Sequence, residues 1–186
     1  REKMQELFET DPERVLTYAR QDVLETGRLA ELVTATEFYQ TQMLPDSYSA
    51  CATTGTGEKI NSLFIRAYLN SGHAIPQPGP AKSYAGGYTE LRATGILHRV
   101  VKADVESLYP SLMLAFNIRP ASDTLGVFLP TLKELTKRRL EAKTRSKQSS
   151  GADSSYWDGI QGSFKVLINS FYGYLGAPPF HFNDFD

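Results

Sequence analysis

The stretch LHRVVKADVESLYPS, Leu97 to Ser111, decides how the chain is read. Its first nine residues, Leu97 to Val105, carry β-branched side chains and no glycine or proline, which predicts a buried strand. Asp104 then stands at the strand end, and Ser-Leu-Tyr-Pro-Ser turns the chain away. A carboxylate so placed is held rigidly, as a metal ligand must be, and the Val105 carbonyl is a further oxygen donor. The successive amides of Ser107 and Leu108 can face an anion, since a run of backbone N–H groups forms a nest. The plainer alternative is a strand-to-helix turn with a core tyrosine at Tyr109.

Downstream, KVLINSFYG, Lys165 to Gly173, has helical spacing. At about 100° per residue, Lys165, Asn169 and Tyr172 fall within a narrow arc, while Ile160, Leu167, Ile168 and Phe171 gather on another side. The lysine can neutralise phosphate charge and the asparagine can hydrogen-bond to it. Gly173 allows close approach of backbone to a ligand. The plainer alternative is a core helix with one snorkelling lysine. Between the two motifs, residues 131–147 hold seven Lys/Arg against two Glu. Alone, such a run is a solvated helix face. Its place between the motifs gives it more meaning. Arg139 and Lys143, four apart, share a face, and a guanidinium binds phosphate oxygens bidentately. Arg138 points about 100° away from Arg139.

Further out, residues 1–44 read as helical, with Leu16, Val23, Leu24, Leu29, Leu32 and Val33 near 3.6-residue spacing and Asp11-Pro12 as N-cap and first helical residue. A second helix is expected from Glu58 to Asn70, with Ile60, Leu63, Phe64, Ala67 and Tyr68 on one side and Ser71-Gly72 as its stop. Residues 71–89 hold three prolines and four glycines, too many for regular structure. Pro130-Thr131 is expected to open a basic helix, residues 146–155 to form a turn, and a last helix to run from Tyr156 to Tyr172.

The bulk numbers are those of a soluble globular chain. Its 186 residues are 41% hydrophobic and 22% charged, with a net charge of −1, so no global basic field announces a nucleic-acid partner. No apolar run is long enough to span a bilayer, and a membrane partner is not expected. The single cysteine, Cys51, excludes an internal disulfide and a cysteine-rich zinc site. It points to a reducing, intracellular setting.

Taken in order, DVESLYPS, the basic helix and KVLINSFYG resemble the palm and fingers of a family B DNA-directed DNA polymerase. YAGG, Tyr84 to Gly87, resembles the Tyr-x-Gly-Gly element that joins exonuclease and polymerase domains; its plainer reading is a glycine turn. YARQD sets Tyr18 and Asp22 four apart on a helix, similar to the last motif of the linked 3′–5′ exonuclease. The resemblance implies template-directed addition of deoxynucleotides to a primer 3′ end by two-metal nucleotidyl transfer. It makes Asp104 the catalytic residue and, with Val105, a ligand of Mg2+. Ser107, Leu108, Tyr109, Arg139, Lys143, Lys165 and Asn169 would bind the nucleotide, with Tyr109 excluding a 2′-hydroxyl. Tyr84, Gly86, Gly87, Tyr172 and Gly173 would touch DNA, and Tyr18 and Asp22 would be an exonuclease remnant. The implied partners are a DNA primer-template, deoxynucleoside triphosphates and the remainder of a polymerase chain.

The implied fold is α+β, with a partial antiparallel palm sheet, a two-helix fingers hairpin and N-terminal helices. The implied divisions are 1–44 for the end of the exonuclease-like domain, 45–89 for the connector, 90–129 for the first part of the palm, 130–173 for the fingers and 174–186 for the return to the palm. The pattern is incomplete. The family's second catalytic carboxylate, in a Tyr-x-Asp-Thr-Asp hairpin, has no match; Asp184 and Asp186 lie too close after the fingers and are expected to be palm or loop residues. One carboxylate cannot hold two metals, so the chain alone is expected to be a fragment that neither polymerises nor proofreads. The alternative is a non-catalytic nucleic-acid-binding relative of a polymerase.

Overall fold

The computed structural model describes residues 2–80, 87–105 and 107–185. Every regular element among them is a helix. The first is α1 (Glu2–Thr10), followed by α2 (Pro12–Val33) and α3 (Ala35–Gln40). Asp11 caps α2 as its sequence predicts: the carboxylate accepts from the Arg14 amide at 3.2 Å, and Pro12, which has no N–H to satisfy, opens the helix. The short α4 (Tyr48–Thr53) leads to α5 (Thr56–Asn70), which Ser71 and Gly72 end, the glycine at φ 67°.

The body of the molecule is built on α7 (Phe128–Gln148) and α8 (Gly151–Leu175). Residues 149–150 alone join them, far fewer than the turn expected over 146–155, because both helices run into that polar stretch. The Ser146 and Ser154 hydroxyls each donate to the other's carbonyl, at 3.2 and 3.0 Å, and so cross-tie the two helices. The start of α7 also differs. It begins at Phe128 rather than Pro130, because the buried Asp123 carboxylate accepts from the amides of Val127 at 3.2 Å and Phe128 at 2.8 Å. Pro130 then falls in the first turn, where its missing N–H costs nothing.

Between this hairpin and α5 lies an aromatic core. The Phe64 ring meets Phe128, Phe171, Tyr174 and Phe182, with centroids 5.3 to 5.8 Å apart, and all five residues are buried. Three of its four contacts are edge-on, the geometry the ring quadrupoles favour. The segment after α8 folds back over this core. Asn183 pins it to the proline-rich loop, accepting from the Gly79 amide at 2.6 Å and donating to the Gly79 carbonyl at 3.2 Å. Asp184 accepts from the Ala121 amide at 2.7 Å and is a loop residue, as expected; Asp186 lies outside the described residues.

The α+β expectation is overturned. No strand, and hence no antiparallel palm sheet, occurs among the described residues. Residues 97–105 form no regular element, and Val100 and Val101 are 71% and 90% exposed. The reason is physical: β propensity is realised only through a paired ladder and a covered face, and nothing in the described chain offers this segment either. The stretch after it is more regular than the expected turn, since Leu108–Phe116 form α6.

Candidate functional site

The N-terminal end of α6 faces the hairpin across a cleft of about 450 Å³ lined by Asp104, Val105, Ser107, Leu108, Tyr109, Arg139, Lys165 and Asn169. Three separate stretches of sequence thus converge on one space. From α7 comes Arg139, on the inward side of the basic helix and only 8% exposed. Its Nη1 donates to the Ser107 Oγ at 2.8 Å, while its buried Nε has no hydrogen-bond partner among the described residues. From α8 come Lys165 and Asn169, one turn apart and both exposed. From the loop and first turn of α6 come Asp104, Val105, Ser107, Leu108 and Tyr109.

The local geometry explains the convergence. Ser107 sits in the left-handed region, φ 53° and ψ 52°, and its carbonyl accepts the Ser111 amide at 2.9 Å to start α6. That conformation costs a non-glycine residue roughly 1 kcal/mol. It turns the Ser107 hydroxyl toward Arg139 rather than onto the helix, for Ser107 makes no side-chain cap. The start of α6 therefore leaves its first amides at the cleft, where the helix dipole favours negative charge. With two cationic side chains and one carboxylate among its lining residues, the cleft suits an anionic group that also carries a polar edge.

At the edge of the cleft, the lining residue Tyr109 stacks on Tyr172 just beyond it, with ring centroids 4.4 Å apart and planes 11° from parallel. Both tyrosines stand out in the sequence, but nothing in periodicity signals that rings so far apart in the chain would meet. The same is true of the Ser107–Arg139 bond. Lys143 is half-buried one turn from Arg139 and falls outside the cleft lining. Arg138 points elsewhere, its Nε donating to Glu134 at 2.7 Å on the exposed side of α7. At Gly173 a side chain would meet nothing within 4 Å, so the helix surface there is open. Tyr84 and Gly86 lie outside the described residues, and Gly87 is exposed.

Tyr18 and Asp22 are far from this cleft in the chain, on α2. They are joined by a side-chain hydrogen bond, which, with the negative charge of Asp22, pushes the Tyr18 hydroxyl above its usual value of 10.0. The carboxylate inventory bears on metals. Among the described residues Asp104 alone supplies one to the cleft, and no group of three His, Cys, Asp or Glu that could hold an ion occurs among them. These residues do not by themselves fit a two-metal centre.

Two cations, a carboxylate near a helix start and a pair of stacked tyrosines together make a site suited to an anionic group. Comparison with known proteins sharpens that. The chain is 31% identical to a DNA polymerase of Archaeoglobus fulgidus over 190 residues, covering 89% of this chain and 24% of that one. It is 27% identical to a DNA polymerase of Thermococcus gorgonarius over 195 residues, covering 88% of this chain and 25% of that one. Over 125 residues it is 34% identical to the DNA polymerase alpha catalytic subunit of Oryza sativa subsp. japonica, covering 58% of this chain and 8% of that one. No protein-family model matches the chain. The chain belongs to the family B DNA polymerases. It spans about a quarter of the length of the archaeal relatives. No helix among the described residues is long and apolar enough to cross a membrane.

Proposed function

We propose that this chain forms the incoming-nucleotide part of a DNA-directed DNA polymerase, an enzyme adding deoxynucleotides to the 3′ end of a primer on a DNA template. The observation that carries the reading is the single cleft shared by Asp104, Ser107, Tyr109, Arg139, Lys165 and Asn169. In this reading Arg139 and Lys165 neutralise the triphosphate, as charge-assisted hydrogen bonds do best. Asn169 and the amides of Ser107 and Leu108 hydrogen-bond to it, and Tyr109 lies under the deoxyribose. Lys143 adds charge from the same face of α7. The primer-template would pass Tyr84, Gly86, Gly87, Tyr172 and Gly173, and Tyr18 with Asp22 would belong to a linked 3′–5′ exonuclease.

Bound Mg2+ would supply charge stabilisation at phosphate and a more acidic 3′-hydroxyl. The described residues offer it Asp104 and the Val105 carbonyl, too little for two ions, so the work assigned to this chain is nucleotide binding and sugar selection. The polypeptide by itself is expected to show no primer extension.

The test is magnesium-dependent binding of a deoxynucleoside triphosphate, with the matching ribonucleotide as competitor. Arg139→Ala and Lys165→Ala should each weaken binding about tenfold or more, the scale of a hydrogen bond to a charged group, while Arg138→Ala should change little. A folded chain that binds no triphosphate would sink this reading and favour the non-catalytic nucleic-acid-binding alternative.

A further inference from the structure

We infer that Gly87 is a positioning residue for Tyr109, and that its missing side chain sets how closely the cleft discriminates between sugars. A Cβ built on Gly87 would stand 3.1 Å from the Tyr109 hydroxyl oxygen, tighter than ordinary van der Waals contact. The face of the same ring lies on Tyr172, with centroids 4.4 Å apart. At its base, Tyr109 is fixed in the first turn of α6 beside the buried Pro110. The ring is thus fixed at its backbone by α6 and at its face by Tyr172, and at its hydroxyl end the space that a side chain at position 87 would fill is left open by glycine. Any side chain at position 87 pushes the hydroxyl end by a few tenths of an ångström, a shift that the ring stacked on Tyr172 passes to that stack.

Such a shift matters because of what a wall beside a sugar does. It rejects an added 2′-oxygen only if its atoms stand at contact distance, where a displacement of that size decides between acceptance and clash. Gly87 differs here from Gly173, where an added Cβ meets open space. The tight fit between position 87 and Tyr109 stands on geometry alone. Its consequence for sugars rests on the nucleotide reading of the cleft.

The test uses Gly87→Ala, Tyr109→Phe and the double variant in the full chain. Gly87 is exposed, and its φ lies outside the left-handed region, so alanine there leaves the fold intact. The first readout is the NMR shift of the Tyr172 ring protons, which reports the stacked ring current without any ligand. Gly87→Ala should move these resonances, and the double variant, lacking the atom that is struck, should bring them back to those of Tyr109→Phe alone. Unmoved resonances in Gly87→Ala, or no recovery in the double variant, overturn the inference. The second readout is the ratio of deoxynucleotide to ribonucleotide affinity, which should fall about tenfold in Gly87→Ala and recover in the double variant. A wild-type chain that prefers deoxynucleotides, with Gly87→Ala keeping the preference, overturns the sugar role. Moved and recovered resonances in a chain that binds neither nucleotide would leave the contact standing and overturn both the sugar role and the polymerase reading.

Discussion

Helices α2 and α8 are of similar length, 22 and 25 residues, and both carry an apolar stripe, yet α8 buries eight residues and α2 none. In α8, Ile160, Phe164, Leu167, Ile168 and Phe171 find α5, α7 and the returning C-terminal segment opposite them. In α2, Leu16, Val23, Leu24, Leu29, Leu32 and Val33 all face solvent. Periodicity therefore specifies a helix and the direction of its apolar face, but whether that face is used depends on what other elements bring to it. What holds α2 is local: the Asp11 cap, the Thr17 hydroxyl donating to the Glu13 carbonyl at 2.9 Å and Gln21 donating to Glu25 at 2.7 Å.

Cutting one apolar side chain from each region breaks the contrast most directly. Phe64→Ala removes the ring at the centre of the aromatic core, buried to 1% exposure, and should cost about 3–5 kcal/mol in chemical denaturation. Leu24→Ala, on the exposed stripe of α2, should stay within about 0.5 kcal/mol. A comparable loss from both would mean that the α2 stripe is covered in solution.

The difference also bounds what the sequence reveals. The helices over 12–33 and 56–70 are legible because each combines an apolar period with a recognisable cap or stop, Asp11-Pro12 and Ser71-Gly72. The uncapped α8 shows its apolar period but extends beyond the expected 156–172 at both ends. The segment 97–105 misleads for the converse reason. Its valines state a preference that only a neighbouring strand can satisfy, and exposure of Val101 at 90% shows the preference unmet. At the cleft, residue types and spacing point to Asp104, Tyr109, Arg139, Lys165 and Asn169. Their mutual arrangement is another matter. The left-handed Ser107 under Arg139 and the Tyr109–Tyr172 stack arise from contacts distant in sequence, and no local pattern encodes them.

A smaller effect sharpens the contrast through pH. Tyr174 in α8 donates to Asn61 Oδ1 at 2.8 Å, and burial pushes its hydroxyl well above the usual 10.0, despite the opposing hydrogen bond from the Phe182 amide. Burial pushes Tyr68 up as well. Because the folded chain keeps these hydroxyls protonated while the unfolded chain ionises them, stability should be unaffected below about pH 9 and fall progressively as pH rises through and beyond 10.0. Tyr174→Phe should flatten that fall, read as denaturation midpoints across alkaline pH. An unchanged slope would place the Tyr174 hydroxyl in water rather than in the core.

An effect confined to α2 tests how independent the two regions are. Asp11→Ala removes the side-chain oxygen that satisfies the Arg14 amide, and an N-cap of this kind contributes about 1 kcal/mol. In a helix packed like α8 that loss would be shared with the core and would lower the global midpoint. Since α2 buries nothing, the loss should remain local. Amide exchange should speed up through the first turns of α2, and helical circular dichroism should drop slightly. The denaturation midpoint of the Phe64 core should hold. If that midpoint moved with the cap, the end of α2 and the hairpin would be a single cooperative unit, joined through α3, whose Tyr39 ring lies against Gly159 of α8.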